Sequence, residues 1–203
     1  MSTLLRVDTP VATRTYVVDP PYTDDELERL CLRNEDLRIE RTSEGVIRVN
    51  PQTGLLTNGG NAEIIHQLRS WWDEHRRGRV FDCNAGFFLE DGSMLSPDAA
   101  YLPPEQLKGL TKAELARLAH LCPAFVIELL SPTDSLGNLR KKMEAWIANG
   151  AQLAWLVDPD RQCVEIYEPG FDVRSTASPQ LPGSRPVDGL VVDLLKIWRC
   201  YEV

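Results

Sequence analysis

Asp98, Glu128 and Lys142 are the side chains of this 203-residue sequence whose types and settings suit metal-assisted hydrolysis. Asp98 follows Pro97 in "SPDAAY" (Ser96–Tyr101), at the mouth of an apolar run. Glu128 stands inside "FVIELL", between Ile127 and Leu129. An acid buried in such a strand without a partner costs on the order of several kcal/mol, so something must compensate it. Two readings meet that demand. In one, Glu128 is a strand-end acid facing a basic group on a helix, or lies on a solvated strand face. In the other, Asp98 and Glu128 point into one cleft and share a hard divalent cation, whose charge offsets their mutual repulsion.

Lys142 is the third member, and helix geometry separates it from Lys141. At 100° per residue, Leu136, Leu139, Met143, Trp146 and Ile147 form one buried face. Lys141 falls opposite that face, whereas Lys142 falls on its rim. A rim lysine lays its stem along the core and presents its ammonium at the sheet edge. Ordinary snorkelling, or a pair with Glu128, is the plainer reading of the same position.

These groups need elements to hold them. "PAFVIELLS" reads as a buried strand, "SLGNLRKKMEAWIANG" as a helix closed by Asn149–Gly150, and "AQLAWLVDP" as a second strand. A connection of that length suits a crossover between parallel strands, covered by helices. Upstream, Tyr22–Asp36 is a helix candidate capped by Thr23, with acids in its first turn. Leu37–Asn50 reads as a hairpin turning at Ser43–Gly45, residues 51–60 as a loop, and Asn61–His75 as a helix. Gly78–Leu95 reads as strands joined near Asn84–Gly86, with "EDG" as a second turn. A second helical zone is expected over "PPEQLKGLTKAELARLAH", a strand at "CVEIYEPG", and loop over residues 172–189. The tail "LVVDLLKIW" packs back on the body. Residues 1–21 form an extended arm, and residues 22–203 one domain.

Composition narrows the function classes. The formal net charge is -8, which argues against a broad basic surface for non-specific DNA binding. The densest basic cluster, His75–Arg79, reads as a solvated helix end. No stretch of eighteen apolar residues occurs, and "MSTLLRVDTPVATR" does not read as a signal peptide. The cysteines at 31, 83, 122, 163 and 200 are scattered singly, fitting reduced thiols in the cytoplasm. His66, His75 and His120 show no metal-ligand spacing, and two carboxylates with a lysine suit Zn²⁺ poorly. The 54–61 loop lacks any GxGxxG or GxxxxGK[ST] pattern, so a nucleotide cradle has no support. Adjacent Trp71 and Trp72 point about 100° apart on their helix. One exposed member of that pair is the motive for expecting a homodimer.

Taken in order, "SPDAAY", "FVIELLSPTDS", "LRKKMEAWIANGA" and "LAWLVDP" resemble the bacterial family of putative restriction endonucleases abundant in cyanobacteria, with a PD-(D/E)XK-type fold. The resemblance runs from about Glu40 to "VEIYEPG". It implies a restriction-endonuclease-like α/β fold: a mixed four- or five-stranded sheet flanked by helices, with extra N-terminal hairpins. It also implies metal binding by Asp98 and Glu128, with Mg²⁺ or Mn²⁺ as cofactor and nucleic acid, DNA foremost, as substrate. The parent pattern puts a lysine two residues after the glutamate, where this chain has Leu130; in this family Lys142 of the following helix takes that part. Glu40 matches an acid ahead of the core hairpin that reaches the cleft. The products implied are a 5′-phosphate and a 3′-hydroxyl. A different class remains open: a catalytically silent member that binds nucleic acid or protein. The charge of -8 favours the silent member, and the intact Asp–Glu–Lys set favours the nuclease.

Overall fold

The computed structural model describes residues 13–202. Thr23 opens helix α1 (Asp24–Arg33) with a reciprocal cap: its hydroxyl accepts from the Glu26 N–H, and the Glu26 carboxylate accepts from the Thr23 N–H. Strands β1 (Arg14–Tyr16), β2 (Arg38–Arg41) and β3 (Ile47–Asn50) follow the hairpin pattern, with β3 between the other two. The expected arm is described only from residue 13, and its stretch Arg14–Tyr16 is an edge strand; residues 1–12 lie outside the described residues.

Helix α2 (Leu55–His75) starts six residues earlier than its apolar pattern indicates. Gly59 and Gly60, read as loop, lie in its first turns. A Cβ on Gly60 would stand 2.9 Å from Leu129 Cδ2 and 3.0 Å from the Tyr201 ring. Close packing against the sheet and the tail requires glycine there and outweighs its poor helix propensity, about 1 kcal/mol against alanine.

The segment after α2 changes partners. Strand β4 (Arg79–Asp82) pairs with β7 (Ala99–Leu102), whereas β5 (Phe87–Phe88) pairs with β6 (Met94–Leu95). The turn at Asn84–Gly86 therefore does not close a hairpin; it carries the chain from one sheet to another. The hairpin turn is the "EDG" one, where Gly92 has φ 82° and Asp91 accepts from the Ser93 N–H and hydroxyl. The second helical zone shrinks to α3 (Pro104–Leu107) and one 3₁₀ turn (Glu114–Ala116), interrupted by Gly109 at φ 92°.

Strand β8 (Phe125–Leu129), helix α4 (Leu136–Ala148) and strand β9 (Leu153–Asp158) form the expected crossover, and β8 and β9 run parallel. Gly150 ends α4's turn at φ 111°. Strands β10 (Cys163–Tyr167) and β11 (Arg174–Thr176) extend the sheet to the order β11-β10-β9-β8-β7-β4. It has six strands rather than four or five, because both edges recruit short antiparallel strands. The other large sheet is β1-β3-β2-β6-β5. The 172–189 loop contributes β11 and also β12 (Gln180–Pro182), which pairs with β13 (Val191–Asp193) ahead of α5 (Leu194–Arg199).

Helices cover both faces of the six-stranded sheet. Ile64, Leu68 and Trp71 of α2, with Trp198 of α5, pack on one face; Leu139, Met143 and Trp146 of α4 pack on the other. That arrangement buries β8 and β9 throughout, as in parallel-paired strands elsewhere. Trp72 is half-buried: its indole N–H donates to the Gly78 carbonyl at 2.8 Å, and the Arg69 guanidinium lies 4.0 Å from its ring. The exposed tryptophan that motivated a homodimer is thus occupied within the chain. Among the described residues, no helix is long and apolar enough to cross a membrane.

Candidate active site

Strand alternation sets the site's first wall. On β2, Ile39 and Arg41 face α1 and the turn near Gly92, so Arg38 and Glu40 share the other face. On β8, Ile127 and Leu129 join the α2 side, whereas Val126 joins the α4 side; Glu128 shares that side. Its carboxylate meets α4 directly. Trp146 Nε1 donates to Glu128 Oε1 at 2.9 Å, and Lys142 Nζ stands 2.8 Å from the same oxygen. Lys142 and Trp146 are four residues apart and so lie on one side of the helix.

Lys142 is held by two ion pairs and one hydrogen bond. Its ammonium lies 2.7 Å from Glu40 Oε1, 2.8 Å from Glu128 Oε1 and 2.8 Å from the Ser96 carbonyl. The three oxygens come from β2, β8 and the turn after β6. Lys141 is exposed.

The Ser96–Asp98 turn is pinned from both sides. The Ser96 N–H donates to Glu40 Oε1 at 3.0 Å. The Asp98 N–H donates to the Ile127 carbonyl at 3.0 Å, and Asp98 Oδ2 accepts the Leu129 N–H at 2.7 Å. Its other oxygen, Oδ1, accepts from Arg38 Nη1 at 2.8 Å. Arg38 Nη2 donates to the Ser96 carbonyl and stands 4.0 Å from Glu128 Oε2. Asp98 and Glu128 therefore face one shared cationic point.

The sequence pattern named Glu40, Asp98, Glu128 and Lys142, and the structure brings all four together. It adds Arg38, the indole N–H of Trp146 and the Ser96 carbonyl. Arg38 was legible as the residue two before Glu40 in "LRIE", hence on the same strand face. The Trp146 contact had no local signal, since its spacing marks it as core.

Charge is unbalanced in this cluster. Glu40, Asp98 and Glu128 supply three carboxylates against two cations, Arg38 and Lys142, and all three acids are buried. Burial pushes the Glu128 carboxyl up; Lys142 pulls it down and Asp98 adds to the rise, leaving it at about 7. Burial acts the same way on Glu40, but Lys142 and Arg38 outweigh it and hold that carboxyl down at about 2. Burial disfavours the Lys142 ammonium, and Glu128 and Glu40 more than reverse this.

The donor set fits a hard divalent ion. Its oxygens are carboxylates, one negative charge is in excess, and a guanidinium already marks the point both acids face. Among the described residues, no three His, Cys, Asp or Glu side chains form a closed metal cage. Mg²⁺ does not require one: it commonly takes one or two carboxylates, keeping waters and substrate phosphates as its other ligands. Arg38 and Ser96 also line a cleft of about 1250 Å³, together with Asn58, Asn61 and Asp82.

Comparison with known proteins bears on the family and the fold. A family model described as "Uma2: Putative restriction endonuclease" matches residues 24–194. Among solved structures, a chain titled a putative nuclease belonging to DUF820, from Anabaena variabilis ATCC 29413, matches with a TM-score of 0.74. The two are 22% identical, over 89% of this chain and 99% of that chain. No curated protein matches. The structural likeness carries the fold, a restriction-endonuclease-like mixed sheet flanked by helices. With the family model spanning nearly the whole body of the fold, the chain belongs to the Uma2 putative restriction endonuclease family.

Proposed function

We propose that the chain is a divalent-metal-dependent endonuclease that hydrolyses phosphodiester bonds, DNA being the expected substrate. The observation carrying this reading is that Asp98 and Glu128 face one cationic point beside a cleft, with Lys142 on Glu128. Asp98 Oδ1 and Glu128 Oε2 are the oxygens that would hold Mg²⁺ or Mn²⁺. When bound, the ion supplies Lewis-acid chemistry, drawing charge from the phosphoryl oxygens.

The chain's own residues set the stage for the attack. The Leu129 N–H fixes the Asp98 carboxylate in orientation. Trp146 and Lys142 fix Glu128 by Oε1 and leave Oε2 toward Arg38. Glu40 anchors Lys142, whose point charge steadies the attacking water or the scissile phosphate. Water's oxygen bonds to phosphorus and the bond to the 3′-oxygen breaks, giving a 5′-phosphate and a 3′-hydroxyl. The net charge of -8 opposes a polyanion and weakens binding, while contacts from local cations such as His75–Arg79 make what binding there is fall with salt.

The test uses supercoiled DNA, linear DNA and single-stranded RNA, each with EDTA, Mg²⁺ or Mn²⁺, beside Asp98→Ala and Glu128→Ala. Metal-dependent cutting that both substitutions remove is expected. Cutting that survives both places the activity at another site or in a contaminant, and no cutting of any substrate, with no ion bound, overturns the reading in favour of a binding module.

A further inference from the structure

The two cations of the site are held differently. Lys142 is fixed by three acceptors, and its side chain is 9% exposed. Arg38 is 25% exposed and borders the cleft. Its Nε is buried and has no hydrogen-bond partner among the described residues. Only the guanidinium tip is engaged, on Asp98 Oδ1 and the Ser96 carbonyl. The Ser96 carbonyl also accepts from Lys142, so it stays satisfied if Arg38 leaves.

The oxygens left for an ion are the ones Arg38 covers. Asp98 Oδ2 is taken by the Leu129 N–H, and Glu128 Oε1 by Trp146 and Lys142. Asp98 Oδ1 and Glu128 Oε2 remain, and Arg38 lies 2.8 Å and 4.0 Å from them. A divalent cation set against a guanidinium at such range is opposed by like-charge repulsion, strengthened where water is scarce.

Resting on the metal site proposed above, we infer that Arg38 and the divalent ion compete for Asp98 and Glu128. The ion binds as the guanidinium swings off the carboxylates into the cleft. There the planar fork serves as a clamp for a substrate phosphate, a role suited to arginine. Arg38 thereby keeps the buried acids paired until ion and polyanion arrive, and couples the binding of one to the other.

Mn²⁺ titration calorimetry without nucleic acid tests the competition on wild type, Arg38→Met, Arg38→Gln and Arg38→Lys. Removing the charge is expected to tighten Mn²⁺ binding by about tenfold, while Arg38→Lys stays near wild type. Arg38→Gln keeps polar groups at the site and decides the matter if Arg38→Met does not fold. Duplex binding in Ca²⁺, followed by anisotropy, is expected to weaken at least about threefold in the uncharged variants. Mn²⁺ bound equally or more weakly by the uncharged variants overturns the competition and leaves the metal site standing. Tighter Mn²⁺ with unchanged duplex binding overturns the clamp. No Mn²⁺ bound by any form overturns both the inference and the site beneath it.

Discussion

Helix α4 reaches two buried glutamates, and they are treated in opposite ways. Glu165 on β10 takes Arg140 on both oxygens, from Nε at 3.1 and 3.0 Å and again from Nη2, with the Tyr167 hydroxyl at 2.8 Å. One acid meets one cation, and the hydrogen bonds from Arg140 hold its carboxyl below the usual range despite burial. Glu128 on β8 shares Lys142 with Glu40 and lies beside Asp98, and its carboxyl is pushed up to about 7. The closed pair ties a helix to a strand at a partly solvated surface. The open cluster borders a cleft and keeps one negative charge too many. A buried acid by itself therefore says little; the balance of charge around it distinguishes a structural tie from the ion seat proposed for Asp98 and Glu128.

The sharpest way to break this comparison is to neutralise each acid. Glu128→Gln and Asp98→Ala are each expected to lower cleavage by about 10³-fold, as loss of a charge-stabilising group in an active site does. Glu165→Gln should leave cleavage within about threefold, because its Arg140 is half-exposed and can turn to water. Single-turnover assays at saturating Mn²⁺ read the difference, and equal losses would erase the distinction.

Removing the cations should separate the regions by stability. Lys142→Met leaves Glu40 and Glu128 buried with a lost partner, an expected cost of about 3–5 kcal/mol. Arg140→Ala should cost less, because its guanidinium is half-exposed and screened by water. Urea unfolding without divalent ions checks the order, and an Arg140 cost above that of Lys142 would reverse it.

A smaller effect is expected from pH. Glu128 holds its proton more tightly folded than unfolded, where the ordinary value is 4.5. Its contribution is complete below that value and is lost as pH rises through about 7. Glu40, held down at about 2, contributes above its ordinary 4.5 and loses that contribution as pH falls. The Tm without divalent ions should decline from pH about 5 to about 8. Millimolar Mn²⁺ should flatten that slope, and Glu128→Gln should remove it. A slope untouched by Glu128→Gln assigns it to another group.

The smallest effect belongs to Lys141→Ala. Its side chain is exposed, and cleavage and Tm should both stay close to wild type. A loss matching that of Lys142→Ala would show that the helix, and not the rim position, is what matters.

Much of this molecule follows from short-range rules, and those parts were legible. Thr23 and Glu26 close a cap within four residues, and Asn149–Gly150 ends α4 where a positive φ is required. The rim position of Lys142 depends only on a 3.6-residue period, and Glu128 stands out because its immediate neighbours are apolar. Tertiary structure decided what those rules leave open. Asn84–Gly86 is a turn under either reading, but which sheet β5 joins depends on β6 and not on the turn. Gly60 enters a helix because Leu129 and Tyr201 approach it from distant parts of the chain. Arg38 reads as an ordinary strand-face cation until Ser96, Asp98 and Glu128 close around it. Propensity and periodicity act over a turn or a strand, whereas Arg38 pairs with acids sixty and ninety residues away, which only the folded chain brings within reach.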